Sequence, residues 1–301
     1  MTRKIHLHET AEAGRWCARA PRAISRHAFL ATAFPMMLTV FVAAAMLAAG
    51  GAAAWAQTPG VVGGPVAQSA SKGLTAIESV ARADKYLFVF FWRDQNPQTD
   101  AMWEALQSAM AKHAARAESV AVRVSDPAEQ AVVSKFGVDR APMPLVLAVA
   151  PTGAVTKGFC SAFTEDQFVQ AFVSPGTARV LKGVQSRKLV LVCVESRQAL
   201  IRPVSLKQGV AEFAADPDYG GATDVVVIDP ADAGEASLLK SLNVDPQAEG
   251  GTTVLIAPPG TIVGGFTGEV TKAQLIAKLQ AAQSNPCAGG KCGPGGCCPK
   301  K

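Results

Sequence analysis

Four cysteines crowd the C-terminal end of the chain, Cys287, Cys292, Cys297 and Cys298, in the run Cys287-Ala-Gly-Gly-Lys-Cys292-Gly-Pro-Gly-Gly-Cys297-Cys298. The glycines and proline between them exclude a regular element and let the backbone wrap tightly. Four thiolates on such a backbone make a donor set for one soft metal ion, Cu(I) or Zn(II), in tetrahedral geometry. Lys291, Lys300 and Lys301 favour the thiolate form. Spacings of four residues between cysteines differ from the two of a zinc knuckle. In an oxidising compartment the same thiols can instead close two local disulfides or cross-link to another molecule, and both readings stay open.

The N-terminus argues for such a compartment. A basic region with Arg15, Arg19, Arg22 and Arg26 precedes an apolar run from Ala28 to Ala49, and Ala54-Trp55-Ala56 before Gln57 fits the small-X-small cleavage pattern. Residues 1–56 are therefore read as a secretory signal cut after Ala56, which places the mature protein in the periplasm, in the cell envelope or outside the cell. The alternative is an uncleaved anchor, because the run is about long enough to span a bilayer core of ~30 Å at 1.5 Å per residue. That anchor is the only membrane attachment the sequence offers.

Removal of the signal leaves 245 residues with 23 basic and 22 acidic side chains, a net charge near +1. Net charge therefore gives no support for a nucleic-acid partner. Of four histidines only His113 remains, and no Ser-His or Cys-His spacing points to a hydrolase. No glycine loop has a phosphate-binding pattern. Two further cysteines stay in the mature body: Cys160, just after an apolar strand, and Cys193, inside the apolar run Leu189–Val194, where an inert buried thiol is expected.

These residues need a scaffold, and its elements alternate. Residues 57–73, rich in Gly, Pro and Ala, read as a flexible linker. Tyr86–Trp92 is a continuous apolar run of strand length. Helical spacing follows over Thr99–Ala114, then a strand at Ser119–Val124 and a helix at Pro127–Phe136 opened by Asp126. Leu145–Ala150 and Ala154–Phe159 form a hairpin through Pro151-Thr152-Gly153, and a helix over Thr164–Phe172 closes the unit.

The order then repeats. Lys85–Phe90 matches Lys188–Cys193, and Asp126-Pro127 matches Asp229-Pro230, both at an offset of 103; Gly158-Phe159 against Gly265-Phe266 and Thr164 against Thr271 keep step at 107. The sequence places the shift in the loop Gln247–Gly251. Duplication of one α/β unit accounts for the pattern, with domains at 74–173 and 174–284 and a Cys/Gly/Pro-rich, disordered tail at 285–301.

The unit β-α-β-α-β-β-α, with a final hairpin and closing helix, resembles the thioredoxin-like superfamily. That resemblance implies two tandem domains, each a central mixed β-sheet flanked by helices. The segment Phe136–Leu145 is similar to the one in which a cis-proline precedes the third central strand, so Pro142, beside Met143, is the candidate, with Pro144 as the alternative; there the family exposes backbone groups to an extended peptide. Activity in the family needs Cys-X-X-Cys where the first central strand turns into its helix. This chain has Arg93-Asp94-Gln95-Asn96-Pro97-Gln98 at that turn in the first repeat and Glu195–Ala199 in the second, without a cysteine. Dithiol exchange of the family type then cannot run. The expectation is a redox-inactive, non-enzymatic binding or scaffolding protein with a protein or peptide partner in the envelope, Arg93, Asp94, Gln95, Asn96, Pro142 and Met143 forming its binding loop. The alternative is a thiol-dependent protein acting through the tail, by Cu/Zn handling or disulfide exchange.

Overall fold

An unbroken apolar run fits a strand covered on both faces, and Tyr86–Trp92 (β1) is an inner strand of a four-stranded sheet. The computed structural model describes residues 71–195 and 207–284. Ala117–Arg123 (β2) lies parallel to β1, with Val89 opposite Val120. Leu145–Val149 (β3) runs antiparallel on the other side, with Val89 opposite Leu147, and Val155–Phe159 (β4) completes the order β2-β1-β3-β4. Four helices accompany it: Lys72–Arg82 (α1), Pro97–His113 (α2), Gln130–Phe136 (α3) and Glu165–Val169 (α4). Phe88 and Phe90 pack with Met102, Leu106 and Phe168 on one face. Leu87, Val89 and Phe91 pack with Val80, Val132 and Val133 on the other.

The second sheet repeats this plan. Leu189–Val194 (β5), Thr223–Ile228 (β6), Thr252–Ala257 (β7) and Thr261–Thr267 (β8) stand in the order β6-β5-β7-β8 with the same directions. Pro175–Gln185 (α5), Gln208–Ala214 (α6), Ala236–Leu242 (α7) and Lys272–Ser284 (α8) accompany it. Strand order and direction in both sheets are those the thioredoxin-like resemblance implies.

Two expectations need correction. The offset between repeats is already 106 at the second strand, since Tyr86 faces Ala117 whereas Leu189 faces Thr223. Three extra residues therefore enter between β5 and β6, and only one more before β7. The structural counterpart of Asp126 is Asp232, not Asp229: Asp126 accepts from the Ala128 N–H, and Asp232 accepts from the Gly234 N–H. Asp229 imitates the pattern because it begins an Asx turn of its own, accepting from the Ala231 N–H at 2.7 Å.

Helices α1 and α5 were not foreseen: Gly73 read as the end of the linker, and no helix was read at Pro175-Gly176. Proline at the first helical position is in fact favourable. Both glycines make room for a buried carboxylate. The Glu129 carboxylate accepts from Ser71 Oγ (2.7 Å), Lys72 N (2.8 Å) and Gly73 N (3.1 Å) at the start of α1. Glu235 does the same for α5, from Ser174 Oγ (2.6 Å) and Gly176 N (2.7 Å). Each supplies acceptors and negative charge to a helix start that has unsatisfied N–H groups.

The repeats are joined by hydrogen bonds as well as by chain. Gln185 on α5 accepts from Val155 N (2.9 Å) and donates to Val155 O (2.7 Å), pairing with the edge of β4 as another strand would. Thr152 Oγ1 also donates to Ala178 O across the repeats, at 3.5 Å, while within the first repeat the Tyr86 hydroxyl bonds both the N–H and the carbonyl of Val173. The signal expected at 1–56, most of the linker and the tail cysteines Cys287, Cys292, Cys297 and Cys298 lie outside the described residues. Among the described residues no helix is long and apolar enough to cross a membrane, and no cluster of three metal-ligating side chains occurs.

Candidate functional site

The C-terminal end of β1 delivers Trp92 to the turn that starts α2, and the side chains of that turn bond chiefly to one another. Asn96 caps α2, its side-chain oxygen accepting from Thr99 N at 2.9 Å. Thr99 Oγ1 donates to Asp94 O at 2.9 Å, and Gln95 donates to the Asp100 carboxylate. Arg93, Asp94, Gln95 and Asn96 are exposed, while Thr99 is buried. Asn96 and Thr99 occupy the cap and third helical positions, spaced as the two cysteines of Cys-X-X-Cys are. A helix N-terminus that would stabilise a thiolate here meets an amide and a hydroxyl. The spacing Asn-X-X-Thr was visible in the sequence, but only the cap geometry shows that it sits at the start of α2.

Arg93 ties this turn to the loop before β3. Its guanidinium donates to Asp139 O at 3.0 Å, and Arg123 donates to Arg93 O at 3.4 Å while standing 5.2 Å from the Trp92 ring centroid. A cation over the indole face is favourable. The expected residues Arg93–Asn96 and the loop carrying Pro142 and Met143 are thus connected through Arg93. Asp139 and Arg123, which nothing in the sequence singled out, make the connection. The cis-proline assignment is corrected: the cis bond is Met143–Pro144, directly before β3, and Pro142 is an exposed neighbour. Met143 is half-buried against the core on the α1 and α3 side.

The second repeat has a different arrangement at the same place. Gly250 and Gly251, at the positions of Met143 and Pro144, both have positive φ, +74° and +68°, which glycine alone adopts without penalty. Lys207, the residue before α6, points its ammonium at the carbonyls of Gly251 and Gly268. Burial holds the Lys207 pKa below the usual lysine value. Cys193 on β5 stands opposite Thr253 on β7. The Thr253 side chain is fully buried beside the Cys193 thiol.

Burial pushes the Cys193 thiol up to about 11. It is 7% exposed and free, so it has neither the ionisation nor the access of a nucleophile. Because the folded value lies above the unfolded one, its contribution to stability is complete below pH ~9 and is lost as pH rises through 11. Measured against Cys193→Val, the wild-type chain is expected to lose about 2 kcal/mol of relative stability between pH 8 and 11, and no relative stability on the acid side. Denaturant titrations at several pH values check this. A flat difference would mean that the thiol is not held neutral by the fold.

No family model matches the chain, and no curated relative does. Solved structures with which it overlaps include the first two thioredoxin domains of Eps1p from Naumovozyma dairenensis, at 10% identity and a TM-score of 0.27, covering 72% of this chain and 97% of that one. The N-terminal domain of the alkylhydroperoxide reductase AhpF from Enterococcus faecalis overlaps at 14% identity and a TM-score of 0.26, over 68% and 98% of the two chains. Thioredoxin NaTrxh from Nicotiana alata overlaps at 18% and 0.28, over 34% and 84%. The fold assignment rests on strand order and direction.

Proposed function

We propose that this chain is an exported, redox-inactive protein with two thioredoxin-like repeats that serves as a binding or scaffolding module in the cell envelope. The carrying observation is the closed turn at the start of α2. Asn96 and Thr99 stand where a dithiol would have to be, and Thr99 is turned inward to Asp94 O. Mixed-disulfide formation needs an attacking thiolate, and this turn has none. What it presents is an exposed set of hydrogen-bonding groups, Arg93, Asp94, Gln95 and Asn96, beside the exposed Pro142. Loops held by a rigid sheet at such a position are suited to recognition.

The reading is tested by placing a photo-crosslinking amino acid at Asn96 in cells that make the protein, with Gln130, exposed on α3, as the control position. The expected result is a processed chain beginning at Gln57 in the envelope fraction and a discrete adduct from position 96 but not from 130. Equal adducts at both positions, none at either, or an unprocessed chain in the cytosol would refute it.

A further inference from the structure

A sheet edge exposes unpaired N–H and C=O groups, and proteins normally blunt such edges with charge, proline or a covering element. Among the described residues the two sheets have four edges, and three of them are blunted. β2 carries Arg123 and Glu118, the latter paired with Lys85 at 3.0 Å, and β6 carries Asp224, paired with Lys188 at 2.7 Å. β4 carries Lys157, and Gln185 occupies both backbone groups of Val155. β8, Thr261-Ile-Val-Gly-Gly-Phe-Thr267, has no charge and no proline. Among the described residues no hydrogen bond other than those to β7 reaches it.

The register shows which groups are open. Val155 lies opposite Val149 in the first repeat and Ile262 opposite Ile256 in the second, each next to a bulge at the same place. Ile262 therefore directs its N–H and C=O outward as Val155 does. Along this edge runs a cleft of about 780 Å³, lined by the apolar Val244, Val254 and Ile262, by Gly265 at the strand itself, and by Asp245 and Lys278 at its polar wall. A Cβ added to Gly265 would meet nothing within 4 Å. Glycine within a strand often marks a site where another backbone comes close.

We propose that β8 is a docking edge for an extended segment of a partner polypeptide with large uncharged side chains. The segment adds a fifth strand to the second sheet through backbone hydrogen bonds, and a bulky side chain fills the space left by Gly265, whereas Lys278 and Phe266 already lie against Gly264. Other occupants fit less well. A second copy offering its own β8 would set glycine near glycine and leave the cleft empty. A second copy offering α1 in the manner of α5 would place Thr75, Glu78 and Arg82 where α5 has Ala178, Leu181 and Gln185, and Arg82, already paired with Glu78, has no acceptor to give. The Gly/Cys-rich residues 285–301 have no large apolar side chain. The proposal goes beyond the reading of the α2 turn and stands independently of it.

The test is an anisotropy titration of the full mature chain into a labelled, capped heptapeptide of alternating Phe and Thr, with amide hydrogen exchange read on the same complex. Saturable binding is expected, with new protection at residues 261–267 and binding weakened about tenfold or more by Gly265→Lys, a charge of the kind that blunts edges elsewhere. Absence of saturable binding, or protection confined to another segment, overturns the proposal. So does a dimer in the unliganded chain that Gly265→Lys dissociates, since the occupant would then be a second copy. The exchange footprint on the unmodified chain decides the matter even if the variant fails to fold.

Discussion

Replacing Glu129 with alanine should lower the unfolding free energy by roughly 3–5 kcal/mol, among the largest losses of any single truncation in this chain. The carboxylate is buried and accepts from the Ser71 hydroxyl and from two N–H groups at the start of α1. Its removal strands these donors where water does not readily replace the lost acceptor, and takes away the charge that faces the helix N-terminus. Glu235→Ala should behave alike, since Glu235 holds Ser174 and Gly176 in the same way. At roughly 2–4 °C per kcal/mol for a chain of this size, either variant should melt on the order of 10 °C lower. Glu129→Gln keeps the shape and one acceptor, so it should lose less than half as much. Calorimetry on the three variants measures this; equal losses for Ala and Gln would mean that charge, not the hydrogen bonds, supplies the stabilisation.

Gly209→Ala should also destabilise strongly, by about 2–3 kcal/mol net. A Cβ at Gly209 would lie 2.0 Å from Val270 O and 2.7 Å from Thr271 Cα. Both are backbone atoms, so no rotamer change relieves the overlap and α6 must move away from the start of α8. Alanine favours a helix over glycine by up to ~1 kcal/mol, which offsets part of the cost. Gly221 is the control, because a Cβ there meets nothing within 4 Å. Gly221→Ala should leave denaturant midpoints unchanged or slightly raised while Gly209→Ala lowers them; equal midpoints would show that α6 yields freely.

The strands were legible because burial on both faces leaves a continuous apolar signal, as in Tyr86–Trp92 and Leu189–Val194. Helices α1 and α5 were hidden because what fixes their starts is distant in sequence: Gly73 and Gly176 are there for the side chains of Glu129 and Glu235, 56 and 59 residues away. Matching of Asp126-Pro127 to Asp229-Pro230 failed for a local reason, since aspartate opens Asx turns wherever a strand ends, and only the strand register separates the true counterpart, Asp232, from the imitation. The choice between Pro142 and Pro144 turned on a backbone isomer that composition does not encode. For the site, Arg93 to Asn96 could be located by following the strand to its end. The roles of Arg123 and Asp139 could not, because they reach the turn from the end of β2 and from the loop before β3.

The most direct measurement of the central claim is reduction of insulin disulfides by dithiothreitol, followed for the chain with its tail cysteines Cys287, Cys292, Cys297 and Cys298 changed to serine and for Asn96→Cys/Thr99→Cys in that same background. The expected result is no catalysis above background by the first and clear catalysis by the second, since the helix start of α2 would then hold a thiol pair at family spacing. Catalysis by the chain without the added cysteines would contradict the claim of a redox-inactive fold, and silence of a folded double variant would contradict the placement of Asn96 and Thr99 at the position of the missing dithiol.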